Sequence, residues 1–148
     1  MPDYTVNLYK RKKRKHRKSR SRQALHRELV ILFNAKIRKR DGRCMMGEMF
    51  PGCSGYLTAG HVVPKEDSCN VEFIEDNVFG QCSGHNYNHR YHRSKYNTWF
   101  IKTHGAKRFQ EISEIATMPK KVLNSQQLQV LIEKYKWETS APVPSAYF

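Results

Sequence analysis

The chain has 148 residues, room for one modest hydrophobic core, which excludes a large multidomain enzyme. Lys and Arg number 27 against 13 Asp and Glu, a formal charge of +14. The excess is concentrated: residues 1–43 hold 16 basic and 3 acidic side chains, or +13, whereas residues 44–148 hold 11 and 10, or +1. A nearly neutral body with a strongly basic arm calls for a polyanionic partner, nucleic acid before an anionic membrane surface. No run approaches the roughly 18 apolar residues of a membrane span, and the N-terminus lacks the apolar core of a secretory signal, so a soluble, cytoplasmic protein is expected.

Residues 1–21 form the arm. Lys10, Arg11, Lys12, Lys13, Arg14, Lys15, Arg17, Lys18, Arg20 and Arg22 fall within thirteen positions that contain nothing apolar. Like charges repel and no core can form, so the run is predicted to be disordered by itself. Its cations would bind a phosphate backbone through counterion release, with steep salt dependence and no base preference. The segment 22–42 changes character: Leu25, Leu29, Leu32, Phe33 and Ile37 recur at helical spacing, Ser21 is a candidate N-cap and Asp41-Gly42 a stop. A basic amphipathic helix is placed over about 22–40. Lys36, Arg38, Lys39 and Arg40 complement its C-terminal dipole and offer positive charge to phosphates.

A core is placed over residues 43–103. Its first part, 43–60, is rich in Gly, Cys and Met, with turns at Pro51-Gly52 and Ser54-Gly55. Tyr56 to Val63 reads as a strand ended by Pro64, and Val71 to Phe79 as a second strand or irregular segment. Asn86 to Ile101 reads as a helix packed through Tyr91, Tyr96, Trp99 and Phe100. Residues 104–138 carry two more helices. Ala106 to Ala116 turns Phe109, Ile112 and Ile115 inward, and Gln126 to Trp137 turns Leu128, Leu131, Ile132 and Tyr135 inward, capped by Asn124 or Ser125. Residues 139–148 read as a flexible tail.

Cys44, Cys53, Cys69 and Cys82 lie close together in the sequence, which in a reducing compartment suits metal ligation better than disulfides. Cys44 and Cys53 flank the turn-rich loop, and Cys82-x2-His85 follows the strands, so a hairpin would assemble a tetrahedral Cys3His site for structural Zn2+. Metal binding would supply folding free energy where large aliphatic residues are scarce. The alternative is a set of buried free thiols. Cys69 reads as a bystander or a substitute ligand. His61, after Gly60 at a strand end, can be presented at a cleft, although a lone His is more often a structural or surface residue.

The order Cys44, Cys53, Gly60-His61, Asn77, Cys82, His85-Asn86, followed by a basic aromatic helix, resembles the HNH (ββα-metal) nuclease superfamily and, within it, the phage NinG/Rap recombination family. The resemblance spans about residues 33–115. It starts in NAKIRKRDGRC, continues through AGH, EDNVFGQC and the Asn after His85, and ends in KTHGAKRFQEI. The chain departs from that family in four places: C-x8-C in the first half-site, His85 for a cysteine, Thr58 for an aspartate and His89 for a lysine.

The resemblance implies an α+β fold with a small zinc-stabilised ββα-metal (HNH) core flanked by helices. It also implies a metal-dependent endonuclease for branched or recombination-intermediate DNA, in the host cytoplasm if phage-encoded. His61 would be the general base, and Asn77 would fix its ring directly or through the backbone. Asn86 and His89 would hold a catalytic cation, Mg2+ or Mn2+, while Arg90 and Arg93 would hold flanking phosphates. Asn77 and Asn86 equally suit capping roles. Without catalysis, the same residues describe a zinc-stabilised nucleic-acid-binding protein, and the arm alone would suit an RNA-binding one.

Overall fold

A computed structural model describes residues 20–140. The basic residues from Lys10 to Lys18 and the tail from residue 141 lie outside the described residues. The first helix, α1, spans Arg22–Asp41. The Ser21 hydroxyl accepts from the Ala24 amide at 3.2 Å, which satisfies one of the amides a helix start leaves unpaired. Gly42, at φ 65°, ends it and donates its N–H to the Arg38 carbonyl.

Two strands, β1 (Leu57–His61) and β2 (Val78–Cys82), pair antiparallel with Leu57 opposite Cys82 and His61 opposite Val78. The second strand therefore starts later than its sequence pattern suggests. Residues 69–71 and 75–77 instead form single 3-10 turns. The chain curls here around the Asn77 side chain, which ties together segments distant in sequence: its Oδ1 accepts from the Val63 N–H, and its Nδ2 donates to the Val63 and Val71 carbonyls.

The predicted Asn86–Ile101 helix is also two: α2 (Ser83–His89) and α3 (Arg93–His104). The break lets α3 fold back on α2. Tyr96 donates its hydroxyl to the His85 carbonyl at 2.7 Å and stacks on His89, with centroids 4.0 Å apart. Tyr96, Trp99 and Phe100 are buried as expected, but Tyr91, in the break, is exposed. Two helices complete the fold, α4 (Ala106–Thr117) and α5 (Ser125–Ser140). Asn124 caps α5 by accepting from the Gln127 amide at 2.9 Å, and the helix runs two residues into the expected tail.

The result is a mixed fold of five helices and one two-stranded sheet among the described residues. None of these helices is long and apolar enough to cross a membrane. The hairpin sits between two apolar clusters. Leu25, Leu29, Phe33 and Ile37 of α1 pack with Leu128, Ile132 and Tyr135 of α5 and with Val78. On the other side Met46, Val62, Val71, Phe79 and Ile112 surround the α3 aromatics. Val78 and Phe79 enter opposite clusters because successive strand side chains alternate.

Candidate metal centre and adjoining cleft

Each of the four candidate metal ligands is delivered by a different local device. Cys44 is set where α1 gives way to the loop: the Asp41 carboxylate accepts from the Gly80 N–H at 2.6 Å, and the Met45 N–H donates to the Gly80 carbonyl at 2.8 Å. A Cβ on Gly80 would stand 2.7 Å from the Arg43 carbonyl oxygen, so this approach requires glycine. Cys53 comes from the exposed loop, packed over Gly47. Cys82 ends β2 and caps α2, whose first turn carries His85.

The three sulfurs lie 3.3, 3.7 and 3.2 Å from His85 Nδ1, for Cys44, Cys53 and Cys82 in turn. All four ligand atoms fall within 4.8 Å of one another. A tetrahedral zinc with ordinary bond lengths places sulfur about 3.5 Å from nitrogen and about 3.8 Å from sulfur. The cluster fits that ion. Burial raises the Cys82 thiol, but N–H donation from His85 and Ser54, each at 3.4 Å, together with hydrogen bonding to the Cys44 and Cys53 thiols outweighs it and leaves the group below its ordinary value. Cys69 stands apart from the cluster, in an apolar groove beside Ile115 and Leu131.

Next to the cluster, β1 and α2 enclose a cleft of about 490 Å³, lined by His61, Asn86, His89, Arg90 and Arg93 together with Asn34, Lys65 and Glu66. Gly60 makes the strand–helix approach feasible. A Cβ there would stand 2.6 Å from Asn86 Oδ1 and 2.6 Å from the Gln81 side-chain carbon.

His61 Nε2 is 2.8 Å from the Glu72 carbonyl oxygen. A carbonyl only accepts, so Nε2 carries the proton and Nδ1 keeps the lone pair. Burial, opposed by that carbonyl, lowers the pKa of the ring below its ordinary 6.5, so it is neutral at pH 7. His89 lies deeper. Burial first, then the Arg93 charge and the neighbouring His61 ring, bring it down to about 4 against the hydrogen bond to Val62. Its Nε2 is buried with no protein partner, an unusual state for a polar atom that a ligand would relieve.

Residues 6–141 match the family of the bacteriophage lambda NinG protein. The chain belongs to the NinG family. No curated protein and no solved structure matches it.

In this NinG-family chain, five of the residues singled out in the sequence share the cleft: His61, Asn86, His89, Arg90 and Arg93. Asn77 does not line it. It is fully buried, and its side chain holds the backbone of Val63 and Val71 while its carbonyl accepts from Val62. The ring of His61 is fixed by Glu72, which no sequence signal marks because the acting group is a backbone carbonyl. Gln81 was missed as well; both its side-chain amide atoms are buried without a protein partner. Thr58, at the family's aspartate position, donates its hydroxyl across the hairpin to the Gln81 carbonyl at 2.9 Å.

The cations near α1 serve the protein itself more than its surface. Lys36 bridges Glu75 and Glu138, both at 2.6 Å. Arg40 donates to the Val78 and Glu75 carbonyls and lies over the Phe79 ring. Arg22 donates to the Leu123 carbonyl, Lys39 to that of Thr139, and Arg20 pairs with Glu28. Arg38 sits half-buried in the last turn of α1.

Proposed function

We propose that the chain is an HNH-type, metal-dependent endonuclease that hydrolyses phosphodiester bonds in branched or recombination-intermediate DNA. The observation that carries this reading is the tautomer of His61: Nε2–H is tied to the Glu72 carbonyl, and Nδ1 is left basic on a ring that lines the cleft. A buried, neutral imidazole held in one orientation is suited to general-base work. In the proposed reaction Nδ1 takes a proton from water and the oxygen attacks phosphorus. The P–O3′ bond breaks, and the departing 3′ oxygen is protonated by solvent. Arg90 and Arg93 would neutralise the phosphate from the cleft wall.

The donor set also fits a hard cation with mixed ligands. Asn86 Oδ1 sits against Gly60, and His89 Nε2 lacks any protein partner. Mg2+ or Mn2+ held by these two residues would supply Lewis-acid charge neutralisation at the phosphate. The Cys44, Cys53, Cys82 and His85 cluster would hold Zn2+ as a closed structural site, since all four positions are taken by protein ligands.

A second reading is a zinc-stabilised nucleic-acid-binding protein without catalysis, favoured by Thr58, whose hydroxyl is spent across the hairpin where the family has a carboxylate. Nicking of branched and linear DNA with Mg2+ or Mn2+ separates the two. The endonuclease reading expects nicks that vanish in His61→Ala while DNA binding persists. Equal inertness of wild type and variant with both metals would leave the binding protein.

A further inference from the structure

Arg90 of the cleft wall lies over an aromatic pair that the proposed chemistry does not use. Tyr87 and Tyr91 are 57% and 61% exposed, with ring centroids 5.9 Å apart. The Arg90 guanidinium carbon lies 4.7 Å from the centroid of one ring and 5.7 Å from the other. Arg90 also lines the cleft, and among the described residues no carboxylate pairs with it. The surrounding run, residues 90–95, is exposed throughout and holds Arg90, Arg93 and Lys95 with no acid. Arg93 pairs with Asp67 at 3.0 Å, but both side chains are about half exposed, and such a pair yields readily to a phosphate.

Two large rings kept in water, steadied by a cation–π contact and set beside uncompensated positive charge, match the chemistry of an unpaired nucleotide. Its base offers a free π-face and its backbone an adjoining anion. Bases inside a duplex have no such face to offer. We infer that Tyr87, Arg90 and Tyr91 form a stacking platform for unpaired bases of the DNA strand that enters the cleft, so that the preferred substrate has a single-stranded segment next to the reacting phosphate. This rests on the cleft being a DNA site and narrows its substrate class.

The test uses the full chain loaded with zinc and no added magnesium or manganese, so that cleavage does not intervene. A forked DNA with 2-aminopurine in its unpaired arm is compared with a blunt duplex of equal length. Stacking predicts a fluorescence change on binding the fork. Replacing both tyrosines, Tyr87→Ala with Tyr91→Ala, is expected to weaken fork binding about tenfold or more. Duplex binding, governed by phosphate contacts, should change less than about twofold. The Tyr87→Phe, Tyr91→Phe variant should behave as wild type on both, with unchanged zinc content. An alanine variant that weakens fork and duplex equally, or neither, overturns the platform. An inert wild type in the nicking assay would remove the endonuclease reading alone, because the binding comparison needs no turnover.

Discussion

Between α1 and α5, Leu25, Leu29, Phe33 and Ile37 close against Leu128, Ile132 and Tyr135, and the rim is laced by Lys36 with Glu75 and Glu138. Between the 43–56 loop and α2 the picture is reversed. Residues 51–56 are exposed throughout, and what ties them to α2 is polar: the Ser83 and Gly84 N–H groups donate to the Tyr56 and Ser54 carbonyls, and Cys53 joins the cluster of three sulfurs and one imidazole nitrogen. The first region needs only water to drive it together. The second reaches the apolar interior through Met46 and Phe50, but its exposed stretch has no apolar area of this kind, and a metal ion on the cluster would offset its chain entropy. The cleft lies along the seam, where α1 brings Asn34, β1 brings His61 and α2 brings His89.

The largest effect expected is on the coordinated region. Cys82→Ser removes a buried candidate ligand, and with it the coordination that would order the 43–56 loop. Metal analysis should fall well below one equivalent and the 43–56 loop should become protease-sensitive, while helical circular dichroism largely persists. Retained zinc with wild-type protease resistance would erase the contrast. The mirror experiment is Phe33→Ala, which leaves a cavity beside Phe73 and Tyr135. Urea unfolding should show a loss of about 3–5 kcal/mol, with zinc content unchanged.

At the seam, the proposed endonuclease chemistry predicts that His61→Ala costs about 10²- to 10⁴-fold in cleavage rate and leaves both the unfolding midpoint and the zinc content near wild type. A parallel loss of stability would make the residue structural. Gly60→Ala should sit between these classes. Its new methyl meets Asn86 and Gln81 at 2.6 Å, an overpacking expected to cost about 1–3 kcal/mol and to disturb cleavage as well. A variant with native stability and rate would show that α2 can yield.

The smallest effect concerns pH. Burial pushes the Glu75 carboxyl up, but its hydrogen bond to Lys36 and the charges of Lys36 and Lys134 outweigh this and hold it below its ordinary 4.5. A carboxyl lowered in the folded state stabilises above the unfolded value, and that contribution fades as pH falls from 4.5 through the lower folded value. Unfolding midpoints between pH 6 and 3 should therefore decline by more in wild type than in Glu75→Gln. The difference should be no more than about 1 kcal/mol, since the site is partly solvated.

Much of this was legible in the chain. The caps of α1 are local, and a serine before a periodic stripe and a glycine after it mean the same thing in any context. The ligand cluster was legible because soft ligands at hairpin spacing have few other uses. Strand β2 was misplaced because VFGQC is buried on both faces and shows no alternation, and because the polar Asn77 before it is satisfied by contacts made 14 and 6 residues away. The two-helix break could not be seen, as it depends on Tyr96 reaching back to His85. Lys36 read as a phosphate ligand since its partners lie far along the chain. Glu72 left no trace at all, because every residue carries a carbonyl.

Cys82 is at once the last residue of β2, the cap of α2 and a sulfur of the cluster. Asn86 and His89 follow it by four and seven positions on the same short helix. An ion held by the cluster would thus serve as a datum from which that helix is measured. A change at that one sulfur would therefore be felt together at a strand end, a helix start and two side chains of the cleft, while the apolar half stayed as it was.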